Sequence, residues 1–258
     1  MGKKVYAIKL GYDKVKGEEV KNLILDSWSE CEKYIKGVKG AKYKSFTTMA
    51  EAEAYLSQEE PILKKGIDAY PLDIHHAYVD GSYNVDTGKY SYGLLITKQD
   101  IVTYIENGVA EDDSMRDIRQ IGGELKAAIR ALQYCGENKI KELVIFHDYA
   151  GVCYHATGYW ERREESSRKY FEEFNRLVHE HGIKVHFVKV DSHTGDLYNE
   201  MVDEFAKVAG GLKLNYQTER LLRMKELFVR NQEIMDKVKE ILKSEDVLEM
   251  VMIREEDK

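Results

Sequence analysis

Proline is scarce in this chain: two residues in 258, and both, Pro61 and Pro71, fall in one short stretch. With 43% hydrophobic residues, that scarcity excludes a disordered polymer and leaves a folded chain able to bury a core. Long apolar runs are missing too. None approaches the roughly 18 residues that a membrane span needs, so no membrane partner is expected. The start, Met1-Gly2-Lys3-Lys4, leads into alternation rather than an apolar stretch, and no secretory signal is expected. Cysteine is rare: Cys31, Cys135 and Cys153 are odd in number and lack metal-ligand spacing, so a reduced state in the cytoplasm is expected. A positive balance is also absent. The net charge of -7 taken alone argues against a nucleic-acid binder. Division of the chain changes that reading, because residues 1–58 carry 11 lysines against 8 acids while residues 74–211 carry 16 basic against 23 acidic residues. A small basic module joined to an acidic one fits an enzyme that delegates part of its backbone binding.

Strand-like alternation opens at Lys4 to Lys9, followed by a loop around Gly11 to Gly17 and a second extended run from Val20 to Leu25. Ser27 with Glu30, and Thr48 with Glu51, have capping-box spacing and predict helices over Trp28 to Ile35 and Met49 to Leu56, with a third strand at Tyr43 to Phe46 between them. Periodicity weakens over residues 59–73, which contain both prolines and are expected to be a linker. Three extended runs, Ala77 to Tyr83, Tyr90 to Thr97 and Ile101 to Glu106, then read as an antiparallel meander. A helix over Met115 to Cys135, a short apolar strand Leu143 to Phe146, a helix Ser166 to His181, a strand Lys184 to Val190 and a helix Tyr198 to Ala209 follow. The expected fold is α/β: a mixed five-stranded sheet flanked by helices over residues 74–211, preceded by a small three-stranded α/β domain and followed by a helical tail over residues 212–258.

Four carboxylates stand out at strand ends and on helix faces. Asp80 lies in Ala77-Tyr78-Val79-Asp80-Gly81-Ser82, inside an otherwise apolar strand. Glu124 follows two glycines and shares a helix face with Ile121, Leu125 and Ala128. Asp148 ends the strand Val144-Ile145-Phe146-His147, where capping a following helix is the competing role. Asp203 sits in Asn199-Glu200-Met201-Val202-Asp203. Acids from separate elements, gathered at one edge of a sheet, suit a pair of hard divalent cations, which take oxygen ligands from few side chains. Two such ions about 4 Å apart hold both the attacking and the leaving oxygen of a phosphodiester. The chain therefore reads as a nuclease, with two Mg2+ ions, or Mn2+ in their place, as the expected cofactors.

Those motifs, taken in order with Gly123-Glu124-Leu125, Asp148-Tyr149 and Ser192-His193-Thr194-Gly195-Asp196, resemble ribonuclease H type 1 across nearly all of residues 74–211. The first 58 residues resemble the hybrid-binding, viroplasmin-like domain often fused to that enzyme. The likeness rests on Val5-Tyr6-Ala7-Ile8, Trp28 with Cys31, Gly40-Ala41-Lys42-Tyr43-Lys44-Ser45-Phe46, and Ala50 to Leu56. The resemblance implies a ribonuclease H-like sheet and endonucleolytic cleavage of the RNA strand of RNA–DNA hybrids, leaving 5′-phosphate and 3′-hydroxyl ends. Asp80 would bridge both ions, Asp203 would hold the ion beside the attacking water, and Glu124 and Asp148 the ion beside the leaving oxygen. His193 would assist proton transfer or product departure. Tyr6, Trp28, Lys42, Tyr43, Lys44 and Phe46 would bind the hybrid, although aromatics in so small a domain also serve as core. The chain departs from the family where Leu10 to Lys21 is longer than the usual hairpin turn, at Ser45, and at Asp191-Ser192. A non-catalytic hybrid-binding or scaffold protein is the alternative. In the tail, Leu221, Met224, Phe228, Asn231, Met235, Val238 and Leu242 follow 3-4-3-4 spacing. That spacing predicts either self-association through a C-terminal helix, with Asn231 fixing register, or a helix folded back on the catalytic domain.

Overall fold

The structure, a computed structural model, describes residues 4–57, 62–110, 119–162, 164–191 and 194–254. The chain divides into two units, residues 1–60 and 61–258. In the first, strands β1 (Val5–Asp13), β2 (Glu18–Leu25) and β3 (Lys42–Phe46) form an antiparallel sheet in the order β2-β1-β3, with helices α1 (Trp28–Ile35) and α2 (Met49–Ser57). Alternation in β1 decides which helix each side chain meets. Val5 and Ala7 pack with Ala52 of α2, whereas Ile8 packs with Cys31 and Ile35 of α1. Both capping motifs form. Ser27 Oγ accepts from the Glu30 N–H at 3.3 Å, and Thr48 and Glu51 exchange backbone-to-side-chain bonds of 3.2 and 3.1 Å. The expected loop from Gly11 to Gly17 begins as strand, and only residues 14–17 form the turn. Asp13 folds the chain into a tight turn by accepting from the N–H groups of Val15 and Lys16, so β1 and β2 pair as far as Asp13 opposite Glu18.

The second unit is built on an eight-stranded sheet. Its elements are β4 (Ile62–Lys64), β5 (His75–Asn84), β6 (Lys89–Lys98), β7 (Ile101–Val109), α3 (Gln120–Glu137), β8 (Glu142–His147), α4 (Gly151–Ala156), α5 (Glu165–His181), β9 (Lys184–Lys189) and α6 (Leu197–Ala209). They are followed by α7 (Gln217–Leu222), β10 (Leu227–Val229), α8 (Gln232–Lys239), α9 (Glu245–Leu248) and β11 (Val251–Ile253). The strand order is β11-β10-β7-β6-β5-β8-β9-β4. The five expected strands, β5 to β9, occupy the centre, and a three-residue strand, or two, is added at each edge. The start of the helix expected at Met115 lies outside the described residues, and α3 is described from Gln120.

Both additions come from stretches expected to lie outside the sheet. Within the expected linker, β4 pairs in parallel with β9 through Ile62 opposite Phe187. Lys65 then donates to the Tyr78 hydroxyl at 2.9 Å and to the Asp196 carboxylate, and its ammonium stands 4.8 and 4.7 Å over the rings of Tyr78 and Phe146. The tail contains the expected helices but not a continuous one. Its 3-4-3-4 stripe is divided among α7, β10 and α8, with Leu221, Val238 and Leu242 buried in the main core and Met224 left 74% exposed. Asn231 fixes no register. It is the N-cap of α8, accepting from the Ile234 N–H at 3.0 Å. The tail folds back: β10 pairs with β7 through Phe228 opposite Ile101, and the N–H of Gln217 at the start of α7 donates at 2.6 Å to Glu204, a fully buried acid on α6. The apolar seam offered to a second copy is thus consumed within the chain. Among the described residues no helix is long and apolar enough to cross a membrane.

Two truncations test these edges. A chain ended at Gly211 strips Leu222, Leu227, Val229, Ile234 and Val238 from the core. At roughly 1.5–3 kcal/mol per buried aliphatic side chain, that loss rivals the about 5–15 kcal/mol that stabilises a whole domain. Calorimetry should find no cooperative melt, and a melt close to that of the full chain would contradict the fold-back. At the other edge, a chain begun at residue 74 lacks β4 and Lys65 and should be about 2–4 kcal/mol less stable than one begun at residue 61. Equal denaturant midpoints for the two would show that the expected linker contributes nothing.

Candidate active site

Asp80 lies in β5 directly opposite Gly93 of β6. On its other side β5 pairs with β8 only as far as Tyr78 opposite Phe146, and β8 ends one residue later at His147. Asp80 and Asp148 therefore stand at matching positions, each two residues beyond the last paired residues of two parallel strands. The remaining two acids arrive on helices from opposite faces of the sheet. Backbone contact at glycines sets how near they come. A Cβ at Gly123 would lie 2.0 Å from the Ser91 carbonyl oxygen, and one at Gly81 would lie 2.1 Å from the Gln120 carbonyl oxygen and 2.4 Å from the Glu124 nitrogen. The first turn of α3 thus rests on the β5–β6 ribbon, with Glu124 beside it. On the other face, a Cβ at Gly93 would lie 2.2 Å from the Val202 carbonyl oxygen, which brings Asp203 of α6 to the same place. Neighbouring residues of a strand face opposite ways, and the pairs Asp80–Gly93 and Gly81–Tyr92 therefore present the two helices to the two faces.

The electrostatics confirm the crowding. Burial, then the charges of Asp148 and Asp203, push the Asp80 carboxyl well above the usual carboxylate range, against the Gly81 N–H at 2.6 Å and the Lys207 ammonium. Burial, then Asp148 and Asp80, raise Glu124 likewise, although its Oε1 accepts from the N–H groups of Asp148 at 3.1 Å and Tyr149 at 3.2 Å. Lys207, one turn beyond Asp203 on α6, lies 2.5 Å from its Oδ2. No three His, Cys, Asp or Glu side chains among the described residues form a closed ligand cluster by themselves. The donor set is nevertheless all oxygen, two of its members are raised by burial and then by like charge, and a hard divalent cation suits such an environment with one or two carboxylates plus water and phosphate. The four acids fit such ions.

His193 lies outside the described residues. Its loop is described on either side: the Thr194 hydroxyl donates to the Asp191 carbonyl at 2.9 Å, and Asp196 is the N-cap of α6. In the first unit, Tyr6, Trp28 and Tyr43 form one aromatic row with ring centroids 5.6 and 5.9 Å apart. Trp28 and Tyr43 remain 44% and 43% exposed, too open for core residues. Phe46 is not on that row. It packs on the Val5, Ala7 and Ala52 cluster, 5.3 Å from Tyr55, with Lys44 reaching over its ring at 5.7 Å. Strand alternation places Lys42, Lys44 and Phe46 on the α2 side of β3, opposite Tyr43. Sequence reasoning missed Lys207, whose i,i+4 spacing from Asp203 on a helix was the available signal. It also missed the amides of Asp148 and Tyr149 that hold Glu124, for which no spacing signal exists.

Four acids thus meet where two parallel strands of a mixed sheet end, with helices on both faces, an arrangement suited to phosphodiester hydrolysis. Residues 74–210 match the RNase H family model and residues 4–56 match that of the ribonuclease H1 N-terminal domain. The chain belongs to the RNase H family, a family of ribonucleases. Among solved structures, RNase H1 from the halophilic archaeon Halobacterium salinarum is 20% identical, over 52% of this chain and 96% of that one, with a TM-score of 0.44. LC11-RNase H1, solved in complex with an RNA/DNA hybrid, is 18% identical over 52% and 98%, with a TM-score of 0.44. The N-terminal RNase H domain of a Mycobacterium tuberculosis protein, fused to maltose-binding protein, is 16% identical over 53% and 93%, with a TM-score of 0.45.

The glycine contacts make a direct test. Gly123→Ala drives a methyl into the Ser91 carbonyl and must lift α3 from the ribbon. An overpacking cost of about 1–3 kcal/mol is expected in chemical denaturation, with a fall in nuclease activity as Glu124 is displaced. Wild-type stability in this variant would contradict the close approach.

Proposed function

We propose that the protein hydrolyses the RNA strand of RNA–DNA hybrids with two divalent cations, leaving 5′-phosphate and 3′-hydroxyl ends. The observation that supports this most is the convergence of Asp80, Glu124, Asp148 and Asp203, from two strands and two helices, in a domain of the RNase H family. Magnesium, or manganese in its place, would supply positive charge that lowers the pKa of an attacking water and offsets charge on the phosphate and the leaving oxygen. Asp80 lies between the other acids and suits a shared position. Asp203, held by Lys207, would serve the side of the attacking water. Glu124, oriented by two amides, would serve the side of the leaving oxygen with Asp148. His193 would pass a proton or assist departure of the product. Selection of the RNA strand would rest on its 2′-hydroxyls, which DNA lacks, and sequence preference would be slight.

The first unit would add a binding site for the same duplex. Exposed Trp28 and Tyr43, with half-buried Tyr6 beside them, offer a row on which sugar and base faces would stack, worth roughly 1–3 kcal/mol per base. Lys42 and Lys44, on the other side of the edge strand β3, would reach phosphate with their long side chains. Joined by a tether, the two sites raise each other's effective concentration without altering the chemistry.

The decisive experiment is magnesium-dependent cleavage of an end-labelled hybrid by the full chain and by Asp148→Asn. The substitution keeps size and removes charge. Cleavage should fall on the order of a thousandfold, corresponding to several kcal/mol of lost transition-state stabilisation, while hybrid binding persists. In metal-free buffer the variant should melt above wild type, because it removes a charge that repels both Asp80 and Glu124. Cleavage near the wild-type rate would refute the role of the acids, and hybrid binding without cleavage by the wild type would leave a scaffold.

A further inference from the structure

His147, the last residue of β8, is fully buried, with its ring edge-on to Phe187 at a centroid distance of 6.0 Å. Its Nδ1 lies 2.9 Å from the backbone carbonyl oxygen of Tyr149. A carbonyl oxygen only accepts, so Nδ1 carries the proton and Nε2 is a bare acceptor. That Nε2 is buried and has no hydrogen-bond partner among the described residues. Burying an imidazole with one nitrogen orphaned is unfavourable beside an apolar side chain of the same size. What the imidazole provides here is its other nitrogen.

The bond from His147 to Tyr149 closes a turn over Asp148. The N–H groups of Asp148 and Tyr149 emerge from that turn and converge on one oxygen, Oε1 of Glu124. The Tyr149 carbonyl also accepts from the Val152 N–H at 3.1 Å, which joins the turn to the start of α4. His147 supplies the bond from the strand side. The imidazole thus bonds the carbonyl of the residue whose amide, together with that of Asp148, holds Glu124.

We propose that His147 is a positioning residue for the ion-holding acids: its Nδ1–H clamps the Asp148–Tyr149 turn and so presets Asp148 and Glu124 for a divalent cation. This rests on the reading of those acids as ion ligands. Groups that orient ligands in this way typically change metal affinity by 10–100-fold when removed.

The test compares the full-length wild type with His147→Phe, which keeps a buried ring without the donor, and His147→Asn, whose amide nitrogen branches where Nδ1 does. Mn2+ affinity is measured by calorimetry without hybrid, followed by the Mg2+ concentration for half-maximal cleavage and KM for hybrid at saturating Mg2+. His147→Phe should weaken Mn2+ binding by about tenfold or more and raise the Mg2+ requirement similarly, with KM for hybrid unchanged. His147→Asn should recover most of the affinity. Should the Phe variant not melt cooperatively, His147→Gln, with its donor one bond further out, takes its place and should weaken binding likewise. Wild-type Mn2+ affinity in His147→Phe, or equal weakness in His147→Asn, overturns the clamp. A wild type that binds no Mn2+ overturns instead the reading of the acids, and the clamp with it.

Discussion

Repulsion among four carboxylates is the constraint around which the second unit is arranged. Two like charges about 4 Å apart repel by about 4 kcal/mol at an effective dielectric near 20, so acids left to themselves would separate or take up protons. Asp80 and Glu124 carry that strain, with both carboxyls raised above the usual carboxylate range by burial and by their neighbours. Close backbone packing at three glycines holds them together. Alpha-carbon hydrogens stand where side chains would be at Gly81, Gly93 and Gly123, and helices from both faces rest directly on the β5–β6 ribbon. Those contacts fix the acids to elements rather than to loops, which is how a site holds its geometry without a ligand.

A half-buried acid elsewhere shows what satisfaction looks like in the same fold. Glu106 on β7 is pushed up by burial, yet Arg130 and the hydroxyls of Tyr104 and Tyr92 outweigh that and hold its carboxyl below the usual value. Its neighbours compensate its charge fully, and it is a structural group. Asp80 receives one amide and the pull of the Lys207 ammonium, and Glu124 receives two amides, less than their burial demands. The difference separates an acid whose neighbours offset its charge from acids whose charge is left poorly offset, the usual mark of a functional site.

Much of this was legible in the sequence because the chemistry allowed few alternatives. Ser27 with Glu30 and Thr48 with Glu51 mark helix starts by a mechanism that needs only local spacing, and both caps form. Asp80 within an apolar strand and Glu124 on an apolar face are anomalies that burial alone does not explain. The tail was less legible. A 3-4-3-4 stripe is the same pattern whether one helix carries it or whether a turn and a strand interrupt it, and Phe228 fits a strand as well as a helix. Asn231 misled because a buried seam and an N-cap favour the same side chain. In β3 the run from Lys42 to Phe46 was read as one binding stretch. Strand alternation divides it, with Tyr43 on one face and Lys44 and Phe46 on the other, and only the structure shows which face carries Trp28.

The edges of the sheet explain why the catalytic unit extends beyond the region that defines its family. Five strands ending at β7 and β9 would leave two rows of unpaired backbone groups, the usual route to pairing between chains. Short β4 covers β9, and β10 with β11 covers β7, so each cover comes from sequence flanking residues 74–210. The covers also reach the chemistry. Lys65, just past β4, bonds Asp196, the N-cap of the helix that carries Asp203, and Gln217 at the start of α7 bonds Glu204 next to it. Both flanks therefore act on α6, one at its cap and one beside its acid. The helix that supplies a carboxylate from the far face of the sheet is held from outside the family domain at both points, and the position of Asp203 depends on segments that a domain boundary drawn at residues 74 and 211 would remove.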